Sequence, residues 1–234
     1  MARQIRRRFI DLELCQLNKI YLHDLNSYQK AVNQRNNLLR QLSMVPSLKD
    51  TLEVWDSQLV RYGSQVIKER QLFVEELNRL IGPIHEKLSG GKEKLRLVYE
   101  PNVEAQSFDR VLSSRQDNDI RLKTTTVGPH RDDINFIVNG IDIRKFGSQG
   151  QQRTAALSLK LAEIELVKGK INDTPVLLLD DVLSELDSFR QNYLLESIKD
   201  IQTVITCTGL DEFVNNRFSI NKVFKVVEGT LETV

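Results

Sequence analysis

Cysteine is scarce. The 234 residues hold two, Cys15 and Cys207, far apart and with no CxxC or clustered histidine beside them. That speaks against a disulfide framework or a structural zinc site and fits a reducing cytoplasm. No stretch has the apolar length of a membrane span and no signal-peptide pattern opens the chain, so a cytoplasmic protein without membrane contact is expected. Charge of one sign is also missing. With 33 Lys and Arg against 32 Asp and Glu, the formal net charge is +1. The balance therefore favours nucleic acid no more than any other partner, and any basic surface must be local. The phosphate-loop pattern G-x-x-x-x-G-K-[ST] does not occur. Gly90-Gly91-Lys92 comes nearest, but Glu93 follows the lysine and the upstream glycine is absent. That segment also ends a helical pattern instead of following a strand. There is no internal repeat and no low-complexity segment.

What is present is ordinary for a globular chain long enough to bury a core: 40% hydrophobic and 28% charged residues. The first third reads as helix. Tyr21, Leu25, Tyr28, Val32, Leu39 and Leu42 recur at helical spacing, with Arg35 in the seam. After Met44-Val45-Pro46 a second stripe runs from Leu48 through Leu59, Leu77 and Ile84 to Leu88, interrupted at Glu69. Ser47 stands as its expected cap, with Asp50 three residues later. Ser89-Gly90-Gly91 ends it. The two helices are expected to be antiparallel neighbours. At roughly 40 residues the second exceeds a typical globular helix, which favours a protruding arm over a hairpin that is only core.

The rest alternates strand and helix. Leu95–Tyr99 reads as strand and Asn102–Arg115 as one helix. Asn139-Gly140 turns a hairpin between Ile134–Val138 and Ile141–Ile143. Gln151–Lys168 is a helix, Val176–Leu179 a buried strand, Arg190–Lys199 a helix, Thr203–Thr206 a strand, and Glu228-Gly229 turns a last hairpin. Such alternation implies an α/β fold with parallel strands. The expected division is 1–91 as helical arm and 92–234 as the α/β lobe.

Two segments carry chemistry. Val176-Leu-Leu-Leu-Asp180-Asp181 reads as a strand that delivers a carboxylate at its C-terminal end, where ligands of open α/β sheets gather. A carboxylate there suits Mg²⁺, usually through water, and a second beside it suits orienting or deprotonating a water. The bland alternative is a strand ending in two polar turn residues. Phe146-Gly147-Ser148-Gln149-Gly150-Gln151-Gln152-Arg153 opens a helix, whose free N–H groups and positive dipole end make a phosphate-binding corner. Its bland alternative is a loop capped by Ser148. Arg6, Arg7 and Arg8, with Arg3 and Lys19 nearby, are either a phosphate contact or a paired surface.

Taken together, a Gly-Ser-Gln-Gly-Gln-Gln helix start, an apolar strand ending in Asp180-Asp181, and Ser184-Glu185-Leu186-Asp187 resemble the signature, Walker B and D-loop of ABC-type ATPases that work on DNA. Phe146 to Glu163, Leu177 to Asp187, Gly128-Pro129-His130-Arg131-Asp132-Asp133 and Arg6-Arg7-Arg8-Phe9-Ile-Asp11 resemble the RecF family. The resemblance spans essentially the whole chain and implies a partial ABC-type P-loop ATPase lobe with a helical-hairpin, coiled-coil-like arm. It implies that Ser148, Gln149, Gly150 and Gln151 meet the γ-phosphate of ATP held by an opposite subunit. It places Mg²⁺ at Asp180 and the catalytic carboxylate at Asp181, with Ser184 and Asp187 in the D-loop at a dimer interface. His130 and Arg131, like the arginine cluster, become candidates for DNA contact, with a turn fixed by proline and paired charges as the alternative. Where the wider superfamily often has a switch histidine, this chain has Thr206-Cys207-Thr208.

The implied parent function is an ATP-dependent clamp or switch at single-strand gaps. It acts on single- and double-stranded DNA with the RecO and RecR mediators, promotes recombinase loading, replication and the SOS response, and closes an ATP-dependent homodimer. RecF-type proteins carry their phosphate loop in an N-terminal segment that is not found here, so this sequence reads as the C-terminal two thirds, and the isolated chain is expected to be inactive. The rival readings are a non-enzymatic fragment that contacts DNA or a mediator, and another SMC-like ATPase with a short arm.

Overall fold

The computed structural model describes residues 3–171, 173–183, 186–207 and 221–233. They divide into two compact units, Met1–Asp173 and Thr174–Val234.

The first unit opens with three helices, α1 (Arg3–Leu17), α2 (Lys19–Gln41) and α3 (Leu52–Leu88). Asn18 separates the first two and caps the second, its side-chain oxygen accepting from the amides of Ile20 (2.9 Å) and Tyr21 (3.2 Å). Ser47 does not cap α3. Pro46–Thr51 forms a 3-10 turn instead, and the helix starts after Thr51 with no side-chain cap. Proline sets the φ angle for that tighter turn and removes an amide that a longer α-helix would need. The far end of α3 matches its sequence signal. Gly91 N–H donates to Glu86 O (2.7 Å) and Gly90 N–H to Lys87 O (3.1 Å), the paired bonds of a Schellman stop, with φ of 65° at Gly90 and 79° at Gly91.

α2 and α3 pack along their lengths. Leu38, Leu39 and Leu42 meet Leu52 in one cluster, Tyr28 and Ala31 meet Leu59 and Ile67 in the next, and Tyr21 and Leu25 meet Val66, Phe73 and Leu77 in the third. Position advances on one helix as it retreats on the other, so the pair is antiparallel. The stripe on α3 is shifted from its sequence reading: Ile67, Arg70, Val74, Ile81 and His85 are buried, while Trp55, Tyr62, Leu80 and Ile84 are only partly so. The helix has more than one partner, so its buried face is wider than a two-helix seam.

The 95–171 segment supplies those partners. β1 (Leu95–Glu100), β2 (Asp133–Val138) and β3 (Ile141–Asp142) form an antiparallel sheet in the order β1-β2-β3. Asn139 and Gly140, both at positive φ, close its hairpin. In place of the expected single helix over 102–115 there is a 3-10 turn (Ala105–Ser107) and the short α4 (Phe108–Ser114), and a further helix, α5 (Gln116–Leu122), follows. Phe108, Leu112 and Val127 pack into the Tyr28–Leu59 cluster, and Ile120 against the Leu38–Leu52 cluster. The arm is therefore braced along its length rather than free. α6 (Ile143–Phe146) and α7 (Gln149–Ile171) complete the unit, with Ala155, Leu159 and Ala162 of α7 in the cluster of Phe73 and Leu77. The sequence division at 91 marks where long helices give way to mixed elements; the packing of this unit continues to residue 173.

In the second unit β4 (Leu177–Asp180) pairs in parallel with β5 (Thr203–Thr206), in register from Leu177↔Thr203 to Asp180↔Thr206. α8 (Ser188–Ser197) lies between them in sequence, and β6 (Phe224–Val227) and β7 (Thr230–Thr233) form a separate hairpin. The Val176–Leu179 run is not a buried strand. Leu179 is buried, but Leu178 is 73% and Val176 57% exposed. Among the described residues β4 has one strand neighbour, and its Leu178 face is open. Apolar composition reports what a strand is built to bury, not whether its cover is at hand.

Candidate nucleotide site

The helix start at Ser148 is held in a reciprocal capping box. Gln151 N–H donates to Ser148 Oγ (3.2 Å), and Ser148 N–H to Gln151 Oε1 (3.0 Å). Gln152 ties the same loop down from its other side, donating through Nε2 to Ile143 O (3.0 Å) and Gly147 O (3.3 Å). A Cβ at Gly147 would overlap the Ile143 backbone, which explains the glycine there. Ser148, Gln149 and Gly150 are left exposed at the N-terminus of a 23-residue helix, where unpaired amides and the dipole favour an anion. The Gln151 side chain is engaged at both ends. Its oxygen holds Ser148, and its nitrogen donates to Glu93 Oε1 (2.9 Å).

The carboxylates lie in the second unit. Asp180 ends β4 beside Thr206 at the end of β5, and Thr206 Oγ1 donates to Asp180 Oδ1 (2.6 Å). Asp181 follows in the left-handed region at φ 49°, with its amide donating to Thr206 O (3.2 Å) and Oγ1 (3.1 Å). Both carboxylates are exposed. The Thr206 hydroxyl thus holds the strand-end carboxylate in place. Asp187 caps α8, accepting from the Arg190 amide (3.0 Å) and pairing with the Arg190 guanidinium. These bonds, with the Arg190 amide foremost, hold its carboxyl below the usual range. Ser184 and Thr208 lie outside the described residues. Among the described residues no group of three or more His, Cys, Asp or Glu forms a metal cage. Mg²⁺ needs no such cage, because it keeps several waters and takes one or two carboxylates plus phosphate oxygens. An exposed strand-end Asp180, anchored through one oxygen, fits that demand.

The arginine cluster and the Gly128–Asp133 turn belong to one buried network. Arg6 forks onto Asp133 (2.8 Å through both Nε and Nη2), and Arg7 donates to Asp132 O (2.7 Å). Asp132, fully buried, accepts from Arg70 Nη1 (2.8 Å), Tyr99 Oη (2.5 Å) and the Asn102 amide (2.8 Å). His130 joins Tyr28 Oη through Nδ1 (2.6 Å) and Thr125 O through Nε2 (3.0 Å). Gly128, at φ 132°, has no room for a side chain: a Cβ would overlap Tyr28 Oη. The turn is fixed by proline and paired charges, and Arg6 and His130 are already engaged. Arg8 and Arg131 are exposed, as is Arg3, which pairs with Asp133 (3.1 Å).

Arg70, Glu93 and His85 stand in none of the sequence motifs. Arg70 stands next to Glu69, where the apolar stripe breaks, and Arg35 is a visible exception in the α2 seam. Arg35 is fully buried and paired with Asp56 (2.5 Å) and Asp119 (2.6 Å). A charge at a helical core position is the available signal; its partner is not readable from spacing.

Burial pushes the His130 imidazole from 6.5 down to about 4, with Arg131, Arg7 and Arg70 adding to the shift. A histidine depressed on folding stabilises fully above its unfolded value, and that stability is lost as pH falls from about 6.5 toward 4. Up to about 3 kcal/mol is at stake. Glu13, raised by burial and by Glu163 from 4.5 to about 7, has the opposite sign, its contribution being lost as pH rises through that window. A His130→Gln variant separates them. Its stability in urea titrations should stay level or rise between pH 6.5 and 4.5, where the parent loses more; parallel curves would exclude His130 as the source.

No family model matches the chain. It is 61% identical over 227 residues to the DNA replication and repair protein RecF of Lachnoclostridium phytofermentans, covering 97% of this chain. It is 62% identical over 229 residues to that of Agathobacter rectalis, covering 98%. The chain spans about 63% of the length of these curated relatives. The solved recombination mediator protein RecF-ATP of the RecFOR pathway superposes with a TM-score of 0.89 at 33% identity, over 100% of this chain and 64% of that one. RecF-ATPrS of the same pathway gives 0.88. The Smc head domain of Pyrococcus furiosus, at 16% identity and a TM-score of 0.53, shares the fold.

Proposed function

Because the chain belongs to the RecF family, we propose that it supplies the signature, Walker B and D-loop parts of an ATP-dependent switch that works on DNA in replication and repair. The observation that carries this reading is the signature loop, where Ser148, Gln149 and Gly150 stand exposed at a helix start while Gln151 and Gln152 brace them from behind. Such a corner suits the γ-phosphate of a nucleotide held by a second copy, which makes a homodimer the working form. Asp180 would hold Mg²⁺, which when bound neutralises phosphate charge. Asp181 would polarise the attacking water, and Asp187, by capping α8, would shape the D-loop. Arg8 and Arg131 would be the exposed DNA contacts, with Arg6, Arg7 and His130 holding the turn beneath. The RecFOR pathway of the solved relatives points to RecO and RecR as partners, and recombinase loading at gaps and the SOS response complete the proposal.

The test is made in a full-length relative carrying the equivalent changes. Asp180→Asn is expected to weaken Mg²⁺-dependent nucleotide binding and turnover together. Asp181→Asn should keep ATP binding and slow hydrolysis about a hundredfold if it is the general base. Ser148→Arg should leave nucleotide binding intact and abolish ATP-driven dimerisation seen by light scattering. Normal dimerisation with Ser148→Arg, together with parent-rate hydrolysis by Asp181→Asn, would refute the composite site. A second reading, a binding module for DNA or a mediator, is favoured by the lack of a phosphate-loop motif in these 234 residues. It requires that titration calorimetry of the chain with ATP and Mg²⁺ show weak or no binding, and a low-micromolar Kd would exclude it.

A further inference from the structure

The bracing of the signature loop does not end at Gln151. Glu93, which accepts from Gln151 Nε2 through Oε1 (2.9 Å), faces His85 Nε2 through its other oxygen (3.2 Å). His85 is fully buried one turn before the end of α3, and its Nδ1 meets Ser158 Oγ on α7 at 2.9 Å. A carboxylate only accepts, so His85 presents its Nε2 proton to Glu93. The Schellman stop at Gly90-Gly91 brings Glu93 back beside the helix it has just left, and Ser89 Oγ accepts from the Glu93 amide (3.1 Å).

We propose that Glu93 and His85 are positioning residues for the signature loop, fixing through Gln151 where Ser148 stands and anchoring that loop to the base of the arm helix α3. Neither touches nucleotide. The proposal rests on the reading of the Ser148 loop as the γ-phosphate corner. It accounts for a glutamine, not merely a cap, at residue 151: a glutamate could reach back to the Ser148 amide, but it could not donate to Glu93 and would set two carboxylates together. It also gives a purpose to the buried histidine of α3, which packing alone does not require.

Hydrogen exchange read by mass spectrometry on the 234-residue chain tests the relay itself. Glu93→Ala is expected to speed exchange of the 147–152 amides about tenfold or more, while α7 beyond Ser158 and the far-UV dichroism stay as in the parent. Glu93→Gln should restore most of the protection, because its oxygen accepts from Gln151 and its amide donates to His85 in the other tautomer. Unchanged exchange in Glu93→Ala, or no rescue by Glu93→Gln, overturns the proposal. The second arm measures ATP-driven dimerisation of a full-length relative with the equivalent changes. A tenfold or greater weakening with Glu93→Ala, rescued by Glu93→Gln, supports it. If Ser148→Arg abolishes association and Glu93→Ala leaves it unchanged, the positioning role is overturned and the composite site stands. If neither substitution affects association, the composite-site reading fails and the positioning role with it.

Discussion

Arg70→Met is expected to destabilise the first unit by about 3–5 kcal/mol, the range for leaving one half of a buried ion pair without its partner. Arg70 is 3% exposed and holds two carboxylates and a carbonyl at once. Nε and Nη2 fork onto Asp11 (3.0 Å each), while Nη1 donates to Asp132 (2.8 Å) and to Pro129 O (2.7 Å). Methionine fills the volume but strands Asp132, which has no exposure to water and whose carboxyl burial already pushes up. Because Tyr21, Tyr99 and the Pro129 turn meet at this guanidinium, the loss should loosen the joints of α1 and α3 with the sheet together. Arg70→Lys keeps the charge but not the planar fork, so an intermediate loss is expected. Urea unfolding followed by circular dichroism measures both. A loss below about 1 kcal/mol for Arg70→Met would mean that water reaches Asp132 readily and that the network contributes little.

Leu77→Asp is expected to abolish cooperative folding of the same unit. A buried leucine contributes about 1.5–3 kcal/mol by transfer alone, and an unpaired carboxylate in its place costs several more. Leu77 has no exposed surface and lies in the cluster with Tyr21 and Leu25 of α2, Leu95 and Ile134 of the sheet, and Ala155 and Leu159 of α7. The damage should therefore spread beyond the helix pair. Leu59→Asp, in the cluster of Tyr28, Phe108 and Val127, should release the arm and its brace first. Leu72→Asp, at a position 54% exposed, is the matched control and should change the melting temperature little. Sharp parent-like melting of Leu77→Asp would show that the third cluster is not the core of the unit.

The site was legible where chemistry is local. Ser148 and Gln151 stand three residues apart, and a capping box needs no more than that spacing to form. Gly90 and Gly91 could be read as a helix stop, and Asn139-Gly140 and Glu228-Gly229 as hairpin turns, because positive φ is a property of single residues. Asp180 could be placed at a strand end because apolar runs stop where the chain meets water. The arm helices were legible from periodicity, but their register was not. Periodicity weighs apolar residues, whereas α3 buries Arg70 and His85 among them.

By itself the sequence determined most helix, strand and turn segments, the start of α3 and the 102–115 stretch apart, and that a serine-capped helix start and a carboxylate-tipped strand exist. Tertiary structure decided what those residues do. Arg6, Arg7 and His130 look like a surface for phosphate in the sequence, yet Asp133, the Asp132 carbonyl, Tyr28 and the Thr125 carbonyl engage them, from positions more than 100 residues away in three of the four cases. Glu93 and His85 carried no signal at all. The reason is physical: caps and turns depend on neighbours in sequence, whereas a buried charge is tolerable only if a partner arrives in space, and no spacing rule names that partner.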